Sequence, residues 1–523
     1  MDSYQNIFFE VPSVSVAAKI SLGLSTLVVA LVIFLVAPRA VLNIVADGIL
    51  STIYRIPTTD RKKSMPGPAY TFPNGQMVDK FLAAKAKSWE WEEKYGKTYR
   101  IWAASIPEVR VITNPKDVEI LYQDSADHNK AHQANAGWLL TQLLGSGLGL
   151  INAPRWNVLR KTLDPIFSHR TAVHFLHESL YSGAEEYVAG IHRFALPVSN
   201  QESKQQKGVV INATQALQRY PFFEVASMFY GKMSGDEQER LWDLGRRYSQ
   251  VFAAIVAGGI HRTKFTKYLG TKAYQDAREY QHLWKGFNAD VYEARKRSAP
   301  ETPIVLLMEA AERGELTGNE VTDTIAESTF ANLDIVTHVI SSCIILLADS
   351  QEVQDNLLAE MQNNRTGKEE YIARKDTLLH YCLLESLRLR PVLSFTFPEN
   401  PPRQKILGNF IVPKNTTVIV DAFAINIRNP FWGPDNRAYR PSRFQGIKQS
   451  QLRYNLATFG YGPRKCLGQH IADKIIKSVV FHLFSKYRVS LQPMQAIDGD
   501  FKVDKTSWVA LYDVDLRLEK RGS

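Results

Sequence analysis

Phe459-Gly460-Tyr461-Gly462-Pro463-Arg464-Lys465-Cys466-Leu467-Gly468 sets one cysteine at the end of a glycine-punctuated loop. Gly460 and Gly462 permit turns that side chains forbid and let the backbone approach a flat ligand closely. Pro463 stiffens the loop, and Gly468 keeps the first turn of the following segment thin. A helix-like run follows, Ile471-Ala472-Asp473-Lys474-Ile475-Ile476-Lys477. Cys466 therefore falls at a helix N-terminus, where free N–H groups and the positive dipole end stabilise an anion. That position predicts a cysteine biased toward thiolate, the form that ligates metal. Arg464, two residues earlier, offers a fixed cation to a carboxylate on the same ligand.

Upstream of the loop, a helix over 375–389 carries Glu385 and Arg388, whose i, i+3 spacing puts them on one face where they can pair. Tyr439-Arg440-Pro441-Ser442-Arg443-Phe444 can bring a second arginine to the same carboxylate. From Val321 to Leu347 runs a long apolar helix that must be buried nearly all round. Its mid-run acid, Asp334, is costly to bury unless paired or useful. Between 170 and 320 the pattern is helical and amphipathic, with a helix break at Ala253-Ala254-Ile255-Val256-Ala257-Gly258-Gly259-Ile260. Residues 128–150 read as a glycine-rich loop, and a helix then carries Trp156 and Arg160 on one face. A helical pattern over Gln76–Tyr95 precedes two strand-like runs, Thr98–Ala103 and Glu108–Thr113, with a turn at Ile106-Pro107 and a new helix from Asn114-Pro115.

At the N-terminus, the uncharged run from Ile20 to Ala37 is just long enough to span a bilayer. Asp2 and Glu10 precede it, and Arg39, Arg55, Arg61, Lys62 and Lys63 follow it. A retained anchor with the bulk of the protein on the cytosolic side is the expectation, rather than a cleaved leader. Ser64-Met65-Pro66-Gly67-Pro68 reads as a stiff hinge. The expected organisation is a lumenal segment 1–19, a transmembrane anchor 20–37, a linker 38–68 and a catalytic domain 69–523.

The chain has 523 residues, 45% hydrophobic and 22% charged, which excludes wholesale disorder. Three cysteines, Cys343, Cys382 and Cys466, make no disulfide framework and suit a reducing compartment. The net charge of +10 is dispersed without a basic run. That argues against nucleic acid and for a membrane surface or an acidic protein partner.

The cysteine loop resembles the haem-binding loop of the cytochrome P-450 family, F-G-x-G-x-R-x-C-x-G, at Phe459, Gly460, Gly462, Arg464, Cys466 and Gly468. The resemblance extends from about Pro66 to the C-terminus. It implies the mainly α P-450 fold with a small β-sheet region, preceded by one transmembrane helix. It also implies haem b, with Cys466 as the axial thiolate on iron and Arg464, Trp156 and Arg160 facing the propionates. Glu385, Arg388 and Arg443 match the family's structural E-x-x-R and P-x-R-F network.

The central helix departs from the family pattern A/G-G-x-D/E-T-T/S. Ala331 and Asp334 fit, Asn332 replaces the glycine, and Ile335 and Val336 replace the hydroxyl residues. Asn332 and Asp334 are the remaining candidates for handling protons there. The basic residue that many relatives carry after Pro391 is missing from Val392–Pro398, with Arg403 or Arg428 as substitutes. Phe395 and Phe397 alternate as on a strand, and Thr506-Ser507-Trp508-Val509 lies where relatives place a loop tip in the substrate pocket.

The function so implied is a monooxygenase on the endoplasmic reticulum membrane, supplied from NADPH by a membrane flavoprotein reductase. The overall texture is most similar to fungal secondary-metabolite members, including those tailoring diketopiperazines of the gliotoxin type. Two alternatives stand beside it. One is a haem-thiolate enzyme for desaturation, ring closure, coupling or isomerisation; the other is a non-catalytic membrane haem sensor.

Overall fold

The computed structural model describes residues 39–102, 108–197, 208–497, 500–504, 509 and 511–522. The apolar span 20–37, the turn at 106–107 and the loop-tip residues 506–508 lie outside them. Among the described residues the chain is mainly helical, with small sheets.

The molecule is built around the helix Gly318–Asp349. Its start is fixed by a reciprocal cap: the Thr317 hydroxyl accepts the Glu320 N–H at 3.2 Å, and the Glu320 carboxylate accepts the Thr317 N–H at 2.8 Å. It is the one helix, among the described residues, long and apolar enough to cross a membrane, yet its apolar window is buried inside the protein. Helices Arg219–Tyr230, Leu378–Leu389 and Gln469–Lys486 pack against it. Apolar side chains face outward on nearly every side of this helix, so only burial by neighbours all round satisfies it.

The larger sheet has the order Thr98–Trp102, Glu108–Ile112, Thr417–Val420, Glu399–Asn400, Asn129–Lys130. Arg100 pairs with Arg110 in the antiparallel first pair, and Val111 lies beside Ile419 in the parallel second. At the far edge Lys130 pairs with Glu399, which brings two distant parts of the chain to the site. A second sheet holds Val209–Asn212, Asp515–Lys520 and Tyr487–Leu491.

Local differences from the sequence pattern have physical causes. The 76–95 helix divides at Ala83 (φ −120°) into Met77–Leu82 and Ala84–Tyr95. The 128–150 loop contains the helix Trp138–Leu144, whose Leu139, Leu140, Leu143 and Leu144 are buried. The strand Val209–Asn212 interrupts the helical stretch because it adds to the C-terminal strand Asp515–Lys520. The helix break before the lid is as expected: Gly235–Ala257 ends where Gly258 turns to φ 73°.

The segment read as a linker is folded. Arg39–Ile53 is a helix that forms a small unit with Ala69–Phe72. Asn43 and Asp47 accept the Phe72 and Tyr70 N–H groups at 2.7 and 2.8 Å. Residues 55–68 belong to the larger unit. There Met65 is buried and donates its N–H to Ile56 at 2.8 Å, and the Pro66 carbonyl accepts the Arg100 N–H at 2.9 Å.

Candidate active site

The cysteine loop is held by its own backbone. The Cys466 N–H donates to the Phe459 carbonyl at 2.8 Å and the Lys465 N–H to the Gly462 carbonyl at 3.2 Å. Gly462 has φ 65°, and a Cβ there would stand 2.6 Å from the Ser125 hydroxyl, so no side chain fits. Phe459 packs its ring against the main core. The helix Gln469–Lys486 begins just after Gly468, whose N–H donates to Cys466. The Cys466 side chain is exposed rather than packed into the core. Burial pushes the Cys466 thiol up, against the downward pull of the Gly468 N–H and of Arg160. The helix-end bias toward thiolate is therefore real but outweighed by desolvation.

A set of cations lines the same region. Arg464 donates to the Asn152 side-chain oxygen at 2.8 Å and to the Ile151 carbonyl at 2.7 Å, with its guanidinium 4.7 Å from the centre of the Trp156 ring. Arg160 donates to the Lys465 carbonyl at 3.2 Å and to Asp164 at 2.6 Å, and it too lies against Trp156, at 5.9 Å. One indole thus serves two guanidinium groups, an arrangement favoured by the ring quadrupole. Burial pushes Arg464 down to about 10, although the charges of Glu399 and Glu327 oppose the shift.

The basic residue missing after Pro391 is not supplied by either expected substitute. Arg428 is engaged by Glu92, by Asp421 at 3.2 Å and by the Ser88 hydroxyl at 2.9 Å, and Arg403 is exposed. Instead Lys130, a buried residue that the sequence reading passed over, stands next to Arg464's partner: its N–H donates to the same Asn152 oxygen at 2.8 Å. Its ammonium pairs with Glu399 at 2.7 Å, and His128 lies 3.1 Å from the same carboxylate. The Nε of Arg464 is buried with no hydrogen-bond partner among the described residues. An orphaned guanidinium nitrogen, an open thiol and a loop without side chains at 460 and 462 together fit an iron porphyrin with acidic side arms.

On the central helix, Asp334 is buried and Asn332 is half-buried. The Asn332 amide donates back to the Ser328 carbonyl, and the Thr337 hydroxyl donates to the Asn332 carbonyl at 3.3 Å. Asn332 and Asp334 are about 200° apart around the helix, so they face different sides. Nearer the helix N-terminus, two acids grip the glycine-rich loop: Asp323 accepts the Ser146 N–H and Glu327 the Gly149 N–H, each at 2.8 Å. A Cβ at Gly145 would collide with the Asp323 carboxylate, and one at Gly149 with Glu327. The glycines of this loop therefore answer to close approach of carboxylates.

The Glu385–Arg388–Arg443 network is formed. Arg388 donates to both Glu385 oxygens, at 2.7 and 2.9 Å, and Arg443 to Glu385 at 2.8 Å. Arg388 also donates to the carbonyls of Asn426 and Asn436, at 2.9 and 2.6 Å, which ties the helix to the segment leading into the cysteine loop. Glu385 and Arg388 are wholly buried. Of the two aromatic residues expected to alternate, Phe395 enters a small core beside Trp91, 6.2 Å between ring centres, while Phe397 lies under the Lys130 ammonium at 5.1 Å. Val509 is buried.

A family model described as Cytochrome P-450 matches residues 65–504. The cytochrome P-450 monooxygenase hasH of Aspergillus fumigatus is 73% identical over all of this chain and 97% of its own length. The monooxygenase sirC of Leptosphaeria maculans is 41% identical over 90% of this chain and 91% of its own. The monooxygenase gliC of Aspergillus fumigatus is 35% identical, covering 93% and 96%.

Proposed function

This chain belongs to the cytochrome P-450 family of monooxygenases, and from that premise we propose that it oxidises a small organic molecule in fungal secondary metabolism. The observation that carries the reading is the exposed Cys466 thiol at the end of a glycine loop, with Arg464 and Arg160 beside it sharing the Trp156 ring. In this reading Cys466 is the iron ligand of haem b, Phe459 supports the loop beneath it, and the cations receive the propionates. When bound, the haem supplies the oxygen chemistry. The protein's own share is to favour the thiolate through the Gly468 N–H and to fix the loop through the Glu385 network.

Asn332 and Asp334 are the groups we assign to handling protons on the opposite side, from separate faces of the helix. In this reading the larger unit, residues 55–68 and 73–523, is the catalytic body, and 20–37 anchor the chain in the endoplasmic reticulum membrane after a lumenal segment 1–19. The basic residues following the span support that orientation. Electrons come from NADPH through a membrane flavoprotein reductase that docks on the face carrying Lys465. Within that reading, a diketopiperazine of the gliotoxin type is the substrate class we propose.

A second reading, haem-thiolate chemistry without oxygen insertion, is favoured by Ile335 and Val336 where hydroxyl residues are usual and by the Asn332 amide being turned back to Ser328. Accurate-mass comparison of extracts from the source organism with and without this gene separates the two. Accumulation of a precursor lacking one oxygen supports oxygenation. A precursor differing by two hydrogens supports desaturation or ring closure, and unchanged extracts from an expressed pathway overturn the tailoring role.

A further inference from the structure

The helix Arg39–Ile53 carries its polarity the wrong way round for a helix packed on its own protein. The side chains that hold it to residues 69–72 are polar: Asn43 and Asp47 accept the Phe72 and Tyr70 N–H groups at 2.7 and 2.8 Å. Leu50, on the same face by the 100° step of a helix, is the one buried residue. The outward side is aliphatic. Val41, Ile44, Val45, Ile49 and Ile53 are all exposed, Ile44 by 73% and Ile53 by 66%. They recur at three- and four-residue steps and so form one continuous stripe. From Val41 to Ile53 the only charge is Asp47, which is turned inward. Thr52, the exposed polar side chain within the stripe, donates its hydroxyl to the Gly48 carbonyl at 2.8 Å. A stripe whose polar group is satisfied inside the helix suits a medium without water.

Place in the chain and composition identify that medium as lipid. The helix starts two residues after the uncharged run Ile20–Ala37. As a helix that run would measure about 27 Å, against a hydrocarbon core of about 30 Å, so it fills the bilayer by itself. The 15 residues of Arg39–Ile53 then have to turn along the membrane surface, and Pro38 disfavours one straight helix through both runs. Protein interfaces draw their binding mainly from Trp, Tyr and Arg, and the stripe has none of these. We propose that Arg39–Ile53 is an interfacial helix lying in the plane of the membrane. Its aliphatic stripe enters the acyl boundary, and Asn43 and Asp47 face away from lipid and hold residues 69–72. The proposal rests on the anchor reading of 20–37 and adds a second membrane contact to it.

The test uses the full-length haem-loaded protein in phosphatidylcholine nanodiscs. The photo-reactive residue benzoylphenylalanine is placed singly at Ile44, Ile49, Val28 or Glu239. Val28 reports on the span, and Glu239, an exposed residue of the helix Gly235–Ala257, reports background. Mass spectrometry after irradiation reads the adducts. Lipid adducts at Ile44 and Ile49 are expected at about fivefold or more over Glu239, the contrast between a seated acyl contact and chance collision. The stripe carries no basic residue, so the yield is expected to change by less than about twofold between low and high salt.

Background yield at Ile44 and Ile49 overturns the proposal. Adducts to residues 1–37 of the same chain or to a second protein molecule overturn it too, as does loss of the lipid adducts at high salt. The anchor reading fails separately. Lipid adducts at Ile44 and Ile49 without any at Val28 leave the interfacial helix standing and remove the span, and the reverse pattern removes the helix alone.

Discussion

Removal of the Glu385 carboxylate probes the junction between the helix Leu378–Leu389 and the cysteine loop. In Glu385→Ala four donors lose their acceptor at once: the Arg388 Nε and Nη2, the Arg443 Nε and the Arg440 N–H. Arg388 is wholly buried, so its charge has no water to turn to. Breaking a buried pair from one side costs about 3–5 kcal/mol. Against a typical total of about 5–15 kcal/mol, that is about a fifth of the stability at the least. Arg443→Ala is expected to be milder at Glu385, which keeps both bonds to Arg388 and loses one worth about 1.5–3 kcal/mol, although Arg443's bonds to Asp435 and to the Trp432 and Ala438 carbonyls go with it. The double variant Glu385→Leu with Arg388→Met removes both charges and is expected to cost less than the sum of its singles. Urea unfolding followed by tryptophan fluorescence measures all three. A Glu385→Ala protein within about 1 kcal/mol of wild type, or no worse than Arg443→Ala, would refute the argument that desolvated charge drives the effect.

Three further outcomes are expected. Gly149→Ala forces a methyl group against the Glu327 carboxylate and is expected to lower stability by about 1–3 kcal/mol, with Gly286→Ala, where nothing lies near and the backbone is helical, as the contrast measured by thermal melts. His482, packed 4.5 Å from the Tyr181 ring, is pushed down to about 4 by burial. The folded protein therefore binds its proton more weakly than the unfolded chain, and stability present above pH 6.5 is lost as pH falls from 6.5 toward 4. His482→Phe is expected to flatten that part of the Tm-against-pH curve, and an unchanged slope would assign the acid loss to other groups. Lys465→Glu puts a negative charge on the exposed side chain next to Cys466 and is expected to slow reductase-driven haem reduction by stopped flow, more at low salt than at high.

The site was legible where its residues act through short, rigid spacings. Trp156 and Arg160 lie one helical turn apart, and Glu385 and Arg388 at i, i+3; each pair meets because local geometry obliges it. The Lys130–Glu399 pair was not legible, since its members are 269 positions apart and meet only through strand pairing at a sheet edge. The same holds for Glu327 and Gly149, 178 positions apart. The glycine run could be seen in the sequence, but the acids it accommodates could not. At Cys466 the helix end is visible in sequence, whereas the desolvation that the surrounding fold imposes on the thiol is not. The hinge Ser64–Pro68 shows the converse error: its prolines read as a spacer, while Met65 and the Pro66 carbonyl are pinned to the sheet.

The grip of Asp323 and Glu327 on the glycine-rich loop has a consequence for how this enzyme can be recombined. The loop residues 145–149 and the helix positions 323 and 327 form one inheritable unit, since the carboxylates occupy the space that side chains on the loop would need. A chimera that takes the loop from one parent and the central helix from another works only when glycines travel with acids. Crossover points placed between residues 150 and 317 split that unit, and those placed before 145 or after 327 keep it whole.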